Sequence, residues 1–194
     1  MRRVARPRSA TLALVGFAFW VVVVVALPVL TPDAYYPVEQ SISALALVKF
    51  GGAMDAAFLA FGLGSIALAS GLYRSVEGAL LAPLLLAVCG LLWVSLGFFR
   101  TGSGGIIAAL HGVVATTSFL LILVVMFLFA EKFRGDERWR SFARPTVVWA
   151  ILAVGTLLSI PVLSEEIFGI SERLFVATFV SWLIATAVRL RFMV

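Results

Sequence analysis

The stretch GIIAALHGVVATTSFLLILVVMFLF, residues 105–129, decides the fold. It carries no Asp, Glu, Lys or Arg. At about 1.5 Å per residue, a helix of this length spans the roughly 30 Å of hydrocarbon in a bilayer. Lipid offers no partner for an unpaired backbone group, so a run of this kind must be helical. The same logic overrides the strand preference of Val21 to Val25.

Similar blocks occupy about residues 11–30, 52–72, 79–99, 146–163 and 174–188. The 194-residue chain is 62% hydrophobic and 13% charged. An average soluble domain is about 45–50% apolar and about 25% charged. The expectation is an all-α polytopic membrane protein, a single bundle of six transmembrane helices over residues 1–194. The last two blocks need help from flanking residues to span. Pro83 falls in the first turn of its block, where proline is tolerated. Pro161 should bend or end the fifth. The first block follows the basic start MRRVARPR. Its apolar run is longer than the roughly 7–15 residues of a signal-peptide core, so it reads as an uncleaved first span.

Charge assigns an orientation. Arg2, Arg3, Arg6, Arg8, Arg74, Lys132, Arg134, Arg138, Arg140, Arg144, Arg189 and Arg191 fall on one side of the six blocks. Only Lys49, Arg100 and Arg173 fall on the other. Lys and Arg collect on the cytoplasmic side, so both termini are expected to be cytoplasmic, in the plasma (inner) membrane. The formal net charge of +5 is therefore a topology signal, and nothing suggests nucleic acid. The run EKFRGDERWRSFAR, residues 131–144, reads as a solvated cytoplasmic loop that touches anionic lipid.

Composition also excludes chemistry. Cys89 is the only cysteine and His111 the only histidine. A bis-histidine haem pair or a three-histidine zinc site cannot be built within this chain. No metal or cofactor is expected, and no HExxH arrangement is present.

The polar residues within or beside the spans gather at the outer end. Asp55 lies near the start of the second block, roughly 5 Å in. His111 lies early in the fourth, roughly 9 Å in. Arg100 ends the third, and Glu172 and Arg173 open the sixth. Asp33, Tyr35, Tyr36, Glu39, Ser41 and Ser43 come from the first external loop, and Glu165 and Glu166 from the third. Three stripes of mostly small residues set helix faces: Gly104, Ala108, His111, Ala115, Ser118; Gly51, Asp55, Gly62, Ser65, Ala69; and Arg173, Ala177, Ser181, Ala185. Small residues suit close helix packing, so His111, Asp55 and Arg173 are expected to face a shared outer vestibule. Ionisable groups within spans are costly in lipid and pair with one another. Asp55 and His111 are the candidate catalytic residues. Arg100, Arg173, Glu172, Glu39, Ser43 and Tyr36 are the candidate substrate contacts. Each has a structural alternative: an interhelical hydrogen bond for His111, helix-dipole placement for Glu172, an ion pair for Arg173, and an interfacial anchor for Arg100. After Pro37 the first loop is expected to form a short helix, with Ile42, Leu45 and Val48 on the membrane or over the bundle mouth.

In order along the chain, Ser43-Ala44-Leu45, Gly97-Phe98-Phe99, His111-Gly112 and Glu172-Arg173 resemble the domain of unknown function 998 family of six-helix prokaryotic membrane proteins. Its pattern has a Ser-x-Leu element before the second helix, G-x-F ending the third, His-Gly early in the fourth and an acidic-Arg pair opening the sixth. Members often carry a Pro-Thr-Asp-like stretch after the Phe; here Arg100-Thr101-Gly102 stands instead. The resemblance implies the architecture and no reaction.

Three functions remain open at this stage. The first is a protein binding or modifying a lipid or isoprenoid at a site facing the outer leaflet. The second is a small transporter, which the neutral inner half disfavours. The third is a non-enzymatic assembly or stress partner. Membrane lipids are the expected partners, with further copies of the chain or other membrane proteins as alternatives.

Overall fold

The computed structural model describes residues 7–162 and 164–193, with the side chains of Pro7 and Glu165 left aside. Arg2, Arg3 and Arg6 of the charge balance, the Glu165 side chain and Leu163 lie outside the described residues. The described residues form six α-helices: α1 Pro7–Leu30, α2 Gly52–Ser75, α3 Leu81–Leu96, α4 Gly105–Gly135, α5 Arg140–Ser159 and α6 Phe168–Phe192. A 3₁₀ helix, Ile42–Leu47, sits in the first long connection, and Glu165–Ile167 forms a second just before α6. No strand occurs among the described residues.

Five of the six helices are long and apolar enough to cross a membrane. The exception is α3, with 16 residues, or about 24 Å. The apolar run expected over 79–99 is helical only from Leu81 to Leu96, and Gly97 just beyond it packs on α2. A methyl group built on Gly97 would lie 2.9 Å from the Asp55 carbonyl oxygen. Large aliphatic side chains such as Leu12, Val15, Ile106, Val113 and Ile151 stand exposed on the outside of the bundle. That inversion of the soluble pattern marks a membrane-embedded protein.

Each helix packs on its neighbour in sequence, and α6 closes back on α1. The result is a ring of six. The tightest approaches are made by glycine. A methyl group on Gly62 of α2 would lie 2.4 Å from the Gly90 carbonyl oxygen of α3, and one on Gly16 of α1 would lie 2.3 Å from the Ala60 carbonyl oxygen. The ring is filled by aromatic side chains. Phe61 of α2 meets Phe17, Trp20 and Trp93 at centroid distances of 5.1, 5.2 and 4.8 Å. Trp93 stacks on Phe179 of α6 at 5.7 Å.

The two ends differ. At one end the start of α1 meets the ends of α2 and α6: a methyl group on Gly71 would touch both Ser9 and Leu190. The connection between α4 and α5 lies at this same end and is no open loop. The expected solvated run 131–144 is mostly helix, and its Asp136, Trp139 and Ala143 are buried. Asp136 accepts hydrogen bonds from the backbone N–H of Glu77 (3.1 Å) and of Arg138 (3.0 Å). Trp139 stacks on Phe133 at 4.5 Å and donates to Ser75 Oγ at 3.2 Å. Loop residues that bury backbone groups need such partners, and Asp136 supplies them.

The opposite end is capped. The 3₁₀ helix packs against α1, α2 and α6, with Ile42, Leu45 and Ala46 buried. Ser41 caps its start by accepting from the Ala44 N–H. Of the two alternatives for this segment, covering the bundle mouth is the one observed.

Candidate functional site

The expected site residues divide into three groups at the capped end. The first is Asp55 with Arg100. Arg100 Nε donates to Asp55 Oδ2 at 2.9 Å, and Arg100 Nη2 donates to the same oxygen. Asp55, in the first turn of α2, faces the residues just past the end of α3. This hydrogen bond and the carboxylate's charge raise the Arg100 pKa. Arg100 is half exposed whereas Asp55 is mostly covered, and the second carboxylate oxygen, Oδ1, is buried with no hydrogen-bond partner among the described residues. Asp55 does not meet Arg173, and it does not line the cavity described below.

The second group is Arg173 with the first loop. Arg173 Nη1 donates to the carbonyls of Pro37 (2.8 Å), Gln40 (2.9 Å) and Gly169 (2.9 Å), and Nη2 donates to the Tyr35 hydroxyl. The Tyr35 hydroxyl in turn donates to the Ser41 carbonyl at 2.7 Å. Burial raises the Tyr35 pKa, against the opposing pull of Arg173. The buried tyrosine of the Tyr35–Tyr36 pair is thus the one that holds the loop. Tyr36 and Glu39, both expected at the site, are exposed. Residues 35–41 are clamped onto the start of α6, where a methyl group on Gly169 would lie 2.4 Å from the Pro37 carbonyl oxygen.

The third group is His111 with Glu172, and it lines a cavity. His111 is 7% exposed and Glu172 8%. His111 Nδ1 lies 2.5 Å from the Phe99 carbonyl oxygen. A carbonyl only accepts, so Nδ1 donates to it. Nε2 makes no hydrogen bond among the described residues. Glu172 Oε2 accepts from the Ile42 N–H at 2.7 Å, which ties the 3₁₀ cap to α6. Its Oε1 takes no hydrogen bond from the described residues. Each side chain is therefore anchored through one atom and has a second available.

The cavity between them is walled by Trp20, Phe58, Phe61, Trp93, Phe119 and Phe179, with Ser43 at its edge. Its volume is about 40 Å³. On the scale where one water needs roughly 10–15 Å³, that admits a few waters or the tip of a larger molecule. Apolar walls with a few convergent polar groups are the usual form of a small-molecule site.

Two of the three small-residue stripes point as expected. His111, Ala115 and Ser118 face inward or half inward, and Gly51, Gly62, Ser65 and Ala69 are buried. The third does not. On α6 the inward face is Glu172, Phe175, Val176, Phe179 and Leu183, while Ala177 and Ser181 are exposed. The shared vestibule of Asp55, His111 and Arg173 is replaced by a His111–Glu172 cavity, because the centre of this ring is filled by large rings and not by close backbone contact. The aromatic walls were not singled out in the sequence. No group of three or more His, Cys, Asp and Glu side chains that could hold a metal occurs among the described residues.

No curated protein and no solved structure matches the chain. A family model described as "Protein of unknown function (DUF998)" matches residues 10–189. That match covers every helix and both halves of the His111–Glu172 cavity, and the chain belongs to this family.

Proposed function

We propose that this protein binds an amphipathic lipid or isoprenoid in the outer half of the membrane, with His111 and Glu172 holding a hydroxyl or amine group of that molecule. In this reading α3 and its flanking residues complete a sixth span. The Arg- and Lys-rich end with both termini is cytoplasmic, and the capped end faces the outer leaflet of the plasma membrane. The observation that carries the reading is the cavity itself. Two buried ionisable side chains from α4 and α6 line one aromatic-walled space, each with a polar atom that makes no hydrogen bond among the described residues. Two such atoms in an apolar setting suit a hydroxyl or amine on an otherwise apolar molecule. An imidazole and a carboxyl group lining one cavity are also groups that general acid–base chemistry on a hydroxyl would use. Asp55 is assigned to the surface ion pair and drops out of this chemistry.

The test is mass spectrometry of lipids that co-purify with the wild type and with His111→Ala, Glu172→Gln and Asp55→Asn. A lipid class retained by the wild type and Asp55→Asn, and lost from the other two, is expected. The same lipid complement in all four proteins overturns the reading.

A further inference from the structure

The cavity has a neighbour on the outside of the bundle. A groove of about 320 Å³ runs along the seam between α1 and α6. Val21, Val24 and Val25 form one wall, and Ala177, Val180 and Ile184 the other. This seam is the least extensive of the six that close the ring. Ala177 and Ser181 leave the space that larger side chains would fill. From Arg173 to Ile184 the groove follows α6 for roughly 16 Å. Trp20, Ile42 and Val176 belong to both groove and cavity, so a single layer of side chains separates the two.

Arg173 stands at the outer end of the groove. Its hydrogen bonds run to neutral carbonyls and a phenol, and no described carboxylate lies within ion-pair distance. The remainder of the groove is almost wholly apolar. The neighbouring Glu172 attracts it only at longer range than an ion pair. A cation in no direct ion pair, at the headgroup end of an apolar channel, is complementary to an anionic lipid headgroup.

We infer that the groove seats an anionic phospholipid of the outer leaflet. Its acyl chain lies between α1 and α6 and its phosphate against Arg173. Its glycerol region lies beside the Trp20–Ile42–Val176 layer that separates groove from cavity. The inference takes its ligand class from the function proposed above, but the seat itself needs only the groove and Arg173.

The test uses the full chain in phosphatidylcholine nanodiscs doped with brominated-chain phosphatidylglycerol or, separately, brominated-chain phosphatidylcholine. Bromine quenches nearby tryptophan, and the Trp20 signal is isolated by subtracting a Trp20→Phe variant. Brominated phosphatidylglycerol is expected to quench Trp20 at an about fivefold lower mole fraction, the attraction of one basic residue for anionic lipid. Arg173→Gln should bring the two lipids together. Ala177→Leu fills the groove from an exposed position, and should reduce quenching by both even if Arg173→Gln fails to insert. Equal quenching by the two lipids in the wild type, or an Ala177→Leu variant that behaves as wild type, overturns the inference. A second copy of the chain covering the groove would also overturn it, and would show as no quenching by either lipid. Headgroup preference with lipid retention unchanged in His111→Ala and Glu172→Gln leaves the groove standing and removes the cavity reading. The reverse result removes the groove alone.

Discussion

Replacing Gly62 by alanine tests the packing that shapes the cavity. The added methyl group would lie 2.4 Å from the Gly90 carbonyl oxygen, 2.6 Å from Val94 Cγ2 and 2.7 Å from the Val94 nitrogen. Two of these neighbours are backbone, so no rotamer change relieves the contact and α2 must move away from α3. Forcing a methyl group into a packed interior costs about 1–3 kcal/mol. Alanine returns about 1 kcal/mol over glycine within a helix. The net loss is then at most about 2 kcal/mol. Gly112→Ala is the control, because a methyl group there meets nothing within 4 Å. It should gain up to about 1 kcal/mol by the same propensity. The assay is unfolding in mixed micelles titrated with a denaturing detergent, followed by tryptophan fluorescence. Phe61 and Trp93, each beside or near these glycines, form part of the cavity wall, so Gly62→Ala should also weaken lipid retention. A Gly62→Ala protein as stable as Gly112→Ala, or more so, refutes the close α2–α3 approach.

Other outcomes follow from the polar groups. Glu172→Ala orphans the buried Ile42 N–H, at about 1–3 kcal/mol, and should speed tryptic cleavage at exposed Lys49, whereas Glu172→Gln keeps an acceptor and should not. Arg100→Ala removes the exposed half of the Asp55 ion pair and should lower stability only slightly, because the arginine keeps much of its hydration in the fold. Asp136→Ala should cost more, since it strips buried acceptors from the Glu77 and Arg138 N–H groups; detergent unfolding of both variants gives the order. The Tyr35 pKa is raised by burial, so the phenolate absorbance lost in Tyr35→Phe should appear only above the ordinary pH of about 10. The sign follows: the neutral phenol is favoured in the fold, so its contribution is complete below that pH and is lost as pH climbs through the raised value.

The helices were legible because lipid demands long apolar runs, and each run in the chain became one. What tertiary contact decides was not. The approach of Gly97 to the Asp55 carbonyl, just past the end of α3, is a fact of two helices and not of one. His111 was placed inward correctly from the small residues in its stripe. The same rule misplaced Arg173, because on α6 the small residues leave a groove while Glu172 and the phenylalanines point in. Tyr35 and Tyr36 are indistinguishable in a loop until Arg173 selects one of them. Asp136 sits in a charged run that looks solvated, and only the backbone donors around it reveal its burial.

Closing the ring with its first and last helices has a consequence for biogenesis. Helices α1 to α5 can each dock on a neighbour as they enter the bilayer. The cavity cannot form with them, since its carboxylate belongs to α6 and the Ile42 N–H that this carboxylate accepts lies upstream of α2. The early segment around Tyr35 likewise waits for Arg173. A chain halted before α6 would hold α1 to α5, a cap resting on α1 and α2 alone and no complete cavity, so assembly of the site reports that the last helix has arrived.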